Sequence, residues 1–225
     1  MNLNQVIENL KVFTSENLAE ILIIFGIILI FFVAIIVDRR KKTNISRLKK
    51  IALSALLISL HIVITRYLSI QTQFLRVSFE VTPLLLAGMI LGPKYAVLIG
   101  GISDLLGATI FATSGAPYFP GFTLNAVLIG CICGIFLYEP KNLKRSNLKF
   151  LLLLIGAEAV IFGIITMVLT PIWLSIMYDK AAAFIVAARI ISKAIVIAVE
   201  IPLVIGIRLA IKPLLEKHIY EEEEI

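Results

Sequence analysis

Residues 91–138 read LGPKYAVLIGGISDLLGATIFATSGAPYFPGFTLNAVLIGCICGIFLY, and this stretch decides the fold. Two apolar segments flank a break, SGAPYFPG at residues 114–121, that holds two glycines and two prolines. Proline cannot donate a backbone hydrogen bond, and glycine turns where other residues would strain. In lipid, such irregular backbone is tolerated only where protein or a wet cavity surrounds it. Tyr118, Phe119 and Phe122 cluster at the break, and Asp104 stands in the apolar run before it. Apolar walls, a few polar groups and a bent backbone are what a small-molecule pocket needs.

The composition agrees. The chain has 225 residues, 60% of them hydrophobic, and a mean hydropathy of +1.00. A water-soluble domain of this size has nowhere to hide so much apolar surface, so a polytopic all-α membrane protein is expected. Spans and short loops use up the chain, leaving no room for a soluble catalytic domain. The net charge of +6 is a topology signal and not a nucleic-acid footprint. Cys131 and Cys133 point away from each other on a helix, which disfavours a disulfide or a metal pair.

Working outward, residues 18–37 form a first span, with Glu20 near its start. No basic stretch precedes it and no small-residue cleavage site follows, so it reads as a membrane helix and not a signal peptide. A basic segment at residues 38–50 anchors its inner end. The second span, 51–68, carries Ala52, Ala55 and Ser59 as a smooth strip where another helix can approach. It also carries His61, read as a packing residue, and Arg66 near the outer end. Residues 69–80, with Arg76 and Glu80, are expected to form a loop or a partly extended segment. Further spans follow at 81–91, 95–111, 122–138, 150–173 and 181–210. An acidic tail, EEEE at 221–224, ends the chain.

Seven spans place fifteen of the 21 basic residues inside and four outside, with Arg189 and Lys193 within the membrane. That asymmetry puts the N-terminus outside and the C-terminus in the cytoplasm. Intramembrane charges are costly and need a partner or a task. Arg189, Lys193 and Glu200 fall within about 40° of one another on the last helix, at 100° per residue. Lys193 and Glu200 are separated by about 10 Å along the axis, so cross-helix partners, Asp104 or Glu158, are expected. Arg189, near the outer end, is assigned to solute binding.

Residues 66–138 resemble the folate-family substrate-binding (S) component of energy-coupling factor (ECF) transporters. The resemblance rests on TRYLSIQT at 65–72, Pro83, Ala87-Gly88, LGP at 91–93, SDLLG at 103–107 and PYFPGFTL at 117–124. Trp173-Leu174-Ser175 and Arg189 extend it, so that it covers about residues 46–212. It implies a six-helix membrane bundle that captures a vitamin from outside. A separate transmembrane coupling subunit and two cytoplasmic ATPases would complete the importer, and the bundle would topple to carry its pocket inward. No GxxxxGK[ST] phosphate loop is present, in keeping with a subunit that hydrolyses nothing. The family's Ala-x-x-x-Ala docking strip has its nearest match in Ala55-x-x-x-Ser59, with Ala52 alongside. Two features depart from the family: an extra span at 18–37, and Thr170-Pro171 where an asparagine-containing turn is expected.

The expected organisation is therefore an extra helix and basic loop (residues 1–45), a six-helix substrate-binding domain (46–213) and an acidic tail (214–225). Folate has a flat pterin, a benzoyl ring and a glutamate tail. Tyr118, Phe119, Phe122 and Trp173 offer faces for its rings. Asp104 and Ser103 offer hydrogen bonds to the pterin edge. Arg66, Arg76 or Arg189 offer guanidinium groups to its carboxylates. No cofactor, metal or catalytic residue is expected. Riboflavin or thiamine is the alternative solute. An intramembrane enzyme built on Asp104 or His61 lacks a nucleophile–base pair, and a self-contained secondary transporter lacks an evident internal repeat.

Overall fold

The computed structural model describes residues 18–38, 45–71, 76–112, 118–139, 145–178 and 182–219. The basic run at 39–42, the first half of the break up to Pro117, the loop at 140–144 and the acidic tail lie outside the described residues. Helices α1 (Leu18–Asp38) and α2 (Arg47–Arg66) come first. A short antiparallel pair follows, β1 (Ile70–Gln71) with β2 (Arg76–Val77), in which Ile70 faces Val77. Then come α3 (Val81–Leu91), α4 (Pro93–Thr109), α5 (Pro120–Leu137) and α6 (Asn147–Ile161). A π-helical stretch, Phe162–Leu169, joins α6 to α7 (Thr170–Tyr178), and α8 (Ala182–Ile219) is last.

The helix ends differ from those expected, for local reasons. Ser46 and Ser146 cap α2 and α6, accepting from the backbone N–H groups of Lys49 and Lys149. Each cap carries its helix a few residues past the apolar run. Pro93 and Pro120 begin α4 and α5, two residues before the expected starts. Proline is at home in a first turn, where its missing N–H would have had no partner anyway. Pro171 sits inside a continuous helical rod. The backbone N–H of Thr170 bonds back to Ile165 O, five residues earlier. This wider turn makes room for a proline ring that would otherwise press on the preceding turn.

Among the described residues, five helical stretches are long and apolar enough to cross a membrane: Glu20–Asp38, Arg47–Arg66, Pro120–Leu137, Asn147–Met177 and Ser192–Pro213. At 1.5 Å per residue, α3 is about 16 Å long, roughly half a hydrocarbon core. Unlike the others, α3 is buried almost throughout, from Val81 to Met89 and again at Leu91. It is the centre of the core, joined by Leu57, Ile99, Ile129, Cys133, Leu154 and Val204 from the surrounding helices.

The tightest contact joins α4 to α5. A Cβ placed on Gly130 would lie 2.4 Å from Ala96 O, so the two backbones touch where only hydrogen fits. Against the outer side of this pair lies α1. Ala34 is fully buried there with Val97, Val127 and Cys131, flanked by Ile27, Ile30 and Phe31. The far face of α1, with Leu22, Phe25 and Phe32, is open to lipid.

A polar clamp closes one end of the bundle. Arg208 of α8, 1% exposed, donates to Asn147 Oδ1 (2.8 Å), Arg145 O (2.8 Å) and Glu139 Oε2 (3.3 Å). Its guanidinium lies over the Phe150 ring, 4.3 Å from the centroid. Arg145 pairs with Glu139 Oε1 at 3.2 Å. Arg208 and Arg145, which belong to the fifteen basic residues placed inside from the sequence, thus tie α8 to the segment between α5 and α6.

Candidate functional site

A cavity occupies the end of the core opposite the Arg208 clamp. Every helix from α2 to α8 lines it: His61 and Thr65, Leu84, Asp104, Phe122 and Asn125, Ile161, Thr170, and Ser192 with Lys193. Ile165 and Thr166 join from the π stretch, and Ser78 and Glu80 from the segment before α3. No lining residue comes from α1.

One wall is a polar relay. Thr123 donates to Asp104 Oδ2 at 2.8 Å. Its single proton is then spent, so the Tyr118 hydroxyl, 3.0 Å away, donates to Thr123. Arg66 Nη2 lies 3.6 Å from Asp104 Oδ1. A Cβ on Gly107 would fall 2.8 Å from Arg66 Nε, so glycine makes the seat in which this arginine lies on α4. Asp104 therefore answers Arg66 on α2, and not the charged stripe of α8 as a cross-helix partner.

An aromatic group lies beside the cavity and reaches it through Phe122. Phe119 meets Phe122 edge-on (centroids 6.1 Å apart, planes at 73°) and Trp173 at a tilt (5.8 Å, 53°). The Trp173 indole N–H donates to Asn125 Oδ1 at 3.1 Å, and Asn125 Nδ2 donates to Thr170 Oγ1 at 3.2 Å. The break in the sequence thus ends in an ordered aromatic group fixed to α5 and α7.

Lys193 links the cavity to a buried charge cluster. Its Nζ donates to Glu200 Oε2 at 3.2 Å and lies 4.0 Å from Glu158 Oε2. The direct contact corrects the expectation from axial distance. Glu200 Oε1 also accepts from Thr82 N (3.1 Å) and Thr82 Oγ1 (2.9 Å). It thereby satisfies a backbone donor in the first turn of α3, where a negative charge is favoured.

Of the residues assigned to solute binding from the sequence, Asp104 and Phe122 line the cavity directly, whereas Ser103, offered to the ring edge, is fully buried, donates to Gly100 O at 3.2 Å and does not line it. Arg66, Tyr118, Phe119 and Trp173 join through the contacts above. The side chains of Arg76 and Arg189 lie outside the described part of the structure. Ala52, Ala55 and Ser59 are exposed on a different face of α2 from His61 and Thr65. Thr65, Asn125, Thr170 and Ser192 were not anticipated as lining residues. Their signal is uncharged polarity within apolar helices, weaker than the charges and aromatics that drew attention first.

A family model described as the S component of an ECF-type riboflavin transporter matches residues 45–212. The chain belongs to the S components of ECF-type transporters. The folate transporter FolT of Clostridium novyi (strain NT) is 38% identical over 152 residues, which span 68% of this chain and 83% of that one. FolT of Leuconostoc mesenteroides is 33% identical over 59% of this chain and 67% of its own length. Among solved structures, FolT bound with folic acid superposes with a TM-score of 0.59 at 35% identity, covering 69% of this S component and 90% of FolT. The S component for biotin from an ECF-type ABC transporter shares the fold, with a TM-score of 0.53 at 19% identity over 78% and 95% of the two chains. The matched region begins at residue 45, so α1 precedes the family's core.

Proposed function

We propose that this S component captures folate at the outer face of the cell membrane and delivers it inward with a separate ATP-driven module. The observation that carries the reading is the kinship with folate transporters: 38% identity across 83% of the C. novyi protein. The cavity suits the chemistry. The aromatic group of Phe119, Phe122 and Trp173 offers faces to flat rings, and the Asp104 relay and Asn125 offer hydrogen bonds to a ring edge. Arg66 stands beside them, and Arg76 and Arg189 are assigned to the carboxylate tail on the strength of their positions in the sequence.

The basic-residue asymmetry supports an N-terminus outside and a C-terminus in the cytoplasm. With that orientation the cavity opens outward and the Arg208 clamp faces inward. The coupling subunit, with its two ATPases, docks on the strip of Ala52, Ala55 and Ser59. Ser59 suits a close helix contact, because its hydroxyl is already satisfied by Ala55 O at 2.9 Å.

Riboflavin is the second reading, favoured by the description of the matching family model. Calorimetry on the purified protein, without any ATPase, separates the two. Folate is expected to bind one-to-one and to weaken on Arg66→Ala or Tyr118→Ala. Binding of riboflavin in place of folate would overturn the folate assignment and keep the transport role.

A further inference from the structure

Asn125 is the one lining residue whose amide is oriented at both ends by other side chains among the described residues. An indole N–H only donates, so the amide atom facing Trp173 is the oxygen, and the nitrogen faces the Thr170 hydroxyl. The orientation follows from chemistry and leaves no ambiguity between O and N. One N–H and one carbonyl lone pair of this planar group remain beyond those two bonds, and the side chain lines the cavity.

We infer that Asn125 reads the lactam edge of the solute's fused ring, an assignment that rests on the folate reading above. A pterin carries an N–H beside a C=O, the complement of an amide's C=O and N–H, so two parallel hydrogen bonds join them. Phe122 lies three residues before Asn125, on the same face of α5, and lines the same cavity. Trp173, which sets the amide, also packs on Phe119. A flat ring that reaches the amide therefore meets the aromatic group in the same pose.

The test is calorimetry with folic acid and with pteroic acid, which keeps the ring system and lacks the glutamate. Asn125→Leu, of similar volume, is expected to weaken both ligands by the same factor, ~30-fold or more for two lost hydrogen bonds. Trp173→Phe keeps an aromatic ring and frees the amide to rotate, and is expected to weaken both by a smaller common factor. Thermal unfolding without ligand checks that each variant is folded. If Asn125→Leu does not fold, Trp173→Phe decides alone. Unchanged affinity in a folded variant, or a loss for folic acid alone, would overturn the assignment. Wild-type protein that binds neither ligand would instead overturn the folate reading itself.

Discussion

Arg66 and Asp104 show how much of the site depends on one missing side chain. The pair closes because Gly107 leaves the guanidinium room on α4. Gly107→Ala is expected to push Arg66 off its seat, at small cost in stability because the group that moves is the end of a flexible side chain. Folate affinity should fall by about 10-fold, in the range of one charge-assisted hydrogen bond. Combining it with Arg66→Ala should add nothing further, since both changes remove the same interaction; an additive loss in calorimetry would separate Gly107 from Arg66. Lys193 makes the opposite case, because its loss acts through stability. Lys193→Ala leaves the carboxylates of Glu158 and Glu200 facing each other in the core, and is expected to cost about 3–5 kcal/mol, read as a lowered Tm of the unliganded protein. The charged members of both groups were legible in the sequence, since a charge in an apolar helix announces itself. Their pairing was legible only in part: Glu158 is the cross-helix partner expected for Lys193 and lies 4.0 Å from it, whereas Asp104 pairs with Arg66 instead. Axial rise alone kept Lys193 from Glu200, yet two long side chains leaning toward each other close the gap. Asn125 was passed over because an amide is cheap enough in a membrane helix to look like packing.

At the scale of the element, the order and number of the long segments could be read from hydropathy, and their ends could not. Prolines and serines mark turns in a linear reading, but Pro93 and Pro120 start helices and Ser46 and Ser146 cap them. Pro171 does not end its helix, because the π stretch before it absorbs the ring. What hydropathy could not foresee at all is that α3, half the length of a span, would be the centre of the bundle. That follows from packing. The backbones of α4 and α5 approach to contact at Gly130, and α5 meets α3 just as closely, a Cβ on Gly88 falling 2.6 Å from the backbone of Cys133. Gly130→Ala drives a methyl into the Ala96 carbonyl and should lower stability by about 1–3 kcal/mol. Gly206→Ala, where nothing lies within 4 Å of the added carbon, serves as the control in the same unfolding experiment. Equal Tm values for the two variants would show that α4 and α5 are not held at backbone contact.

On the scale of the whole molecule, the cavity and the strip proposed for docking lie on different surfaces. The cavity draws on α2 to α8, while the small strip of Ala52, Ala55 and Ser59 looks away from it into the membrane. Ala55→Phe should therefore leave the folate affinity of the isolated protein unchanged and abolish ATP-driven uptake in cells that supply the module. Loss of both would mean that the strip shapes the pocket and does not dock a partner. The extra helix divides the molecule in a second way. It covers Val97, Val127 and Cys131 on the outer side of α4 and α5 and gives nothing to the cavity, and the family match begins after it. In lipid, the helix gains only packing from that contact, since the tails it displaces are as apolar as itself. Removing residues 1–44 should thus keep folate affinity within about 3-fold, well under the tenfold that 1.4 kcal/mol represents. The unliganded protein should melt a few degrees lower, at about 2–4 °C for each kcal/mol of lost packing. A truncated protein that melts normally but no longer binds would make α1 part of the capture machinery, acting on the pocket through the α4–α5 pair it covers.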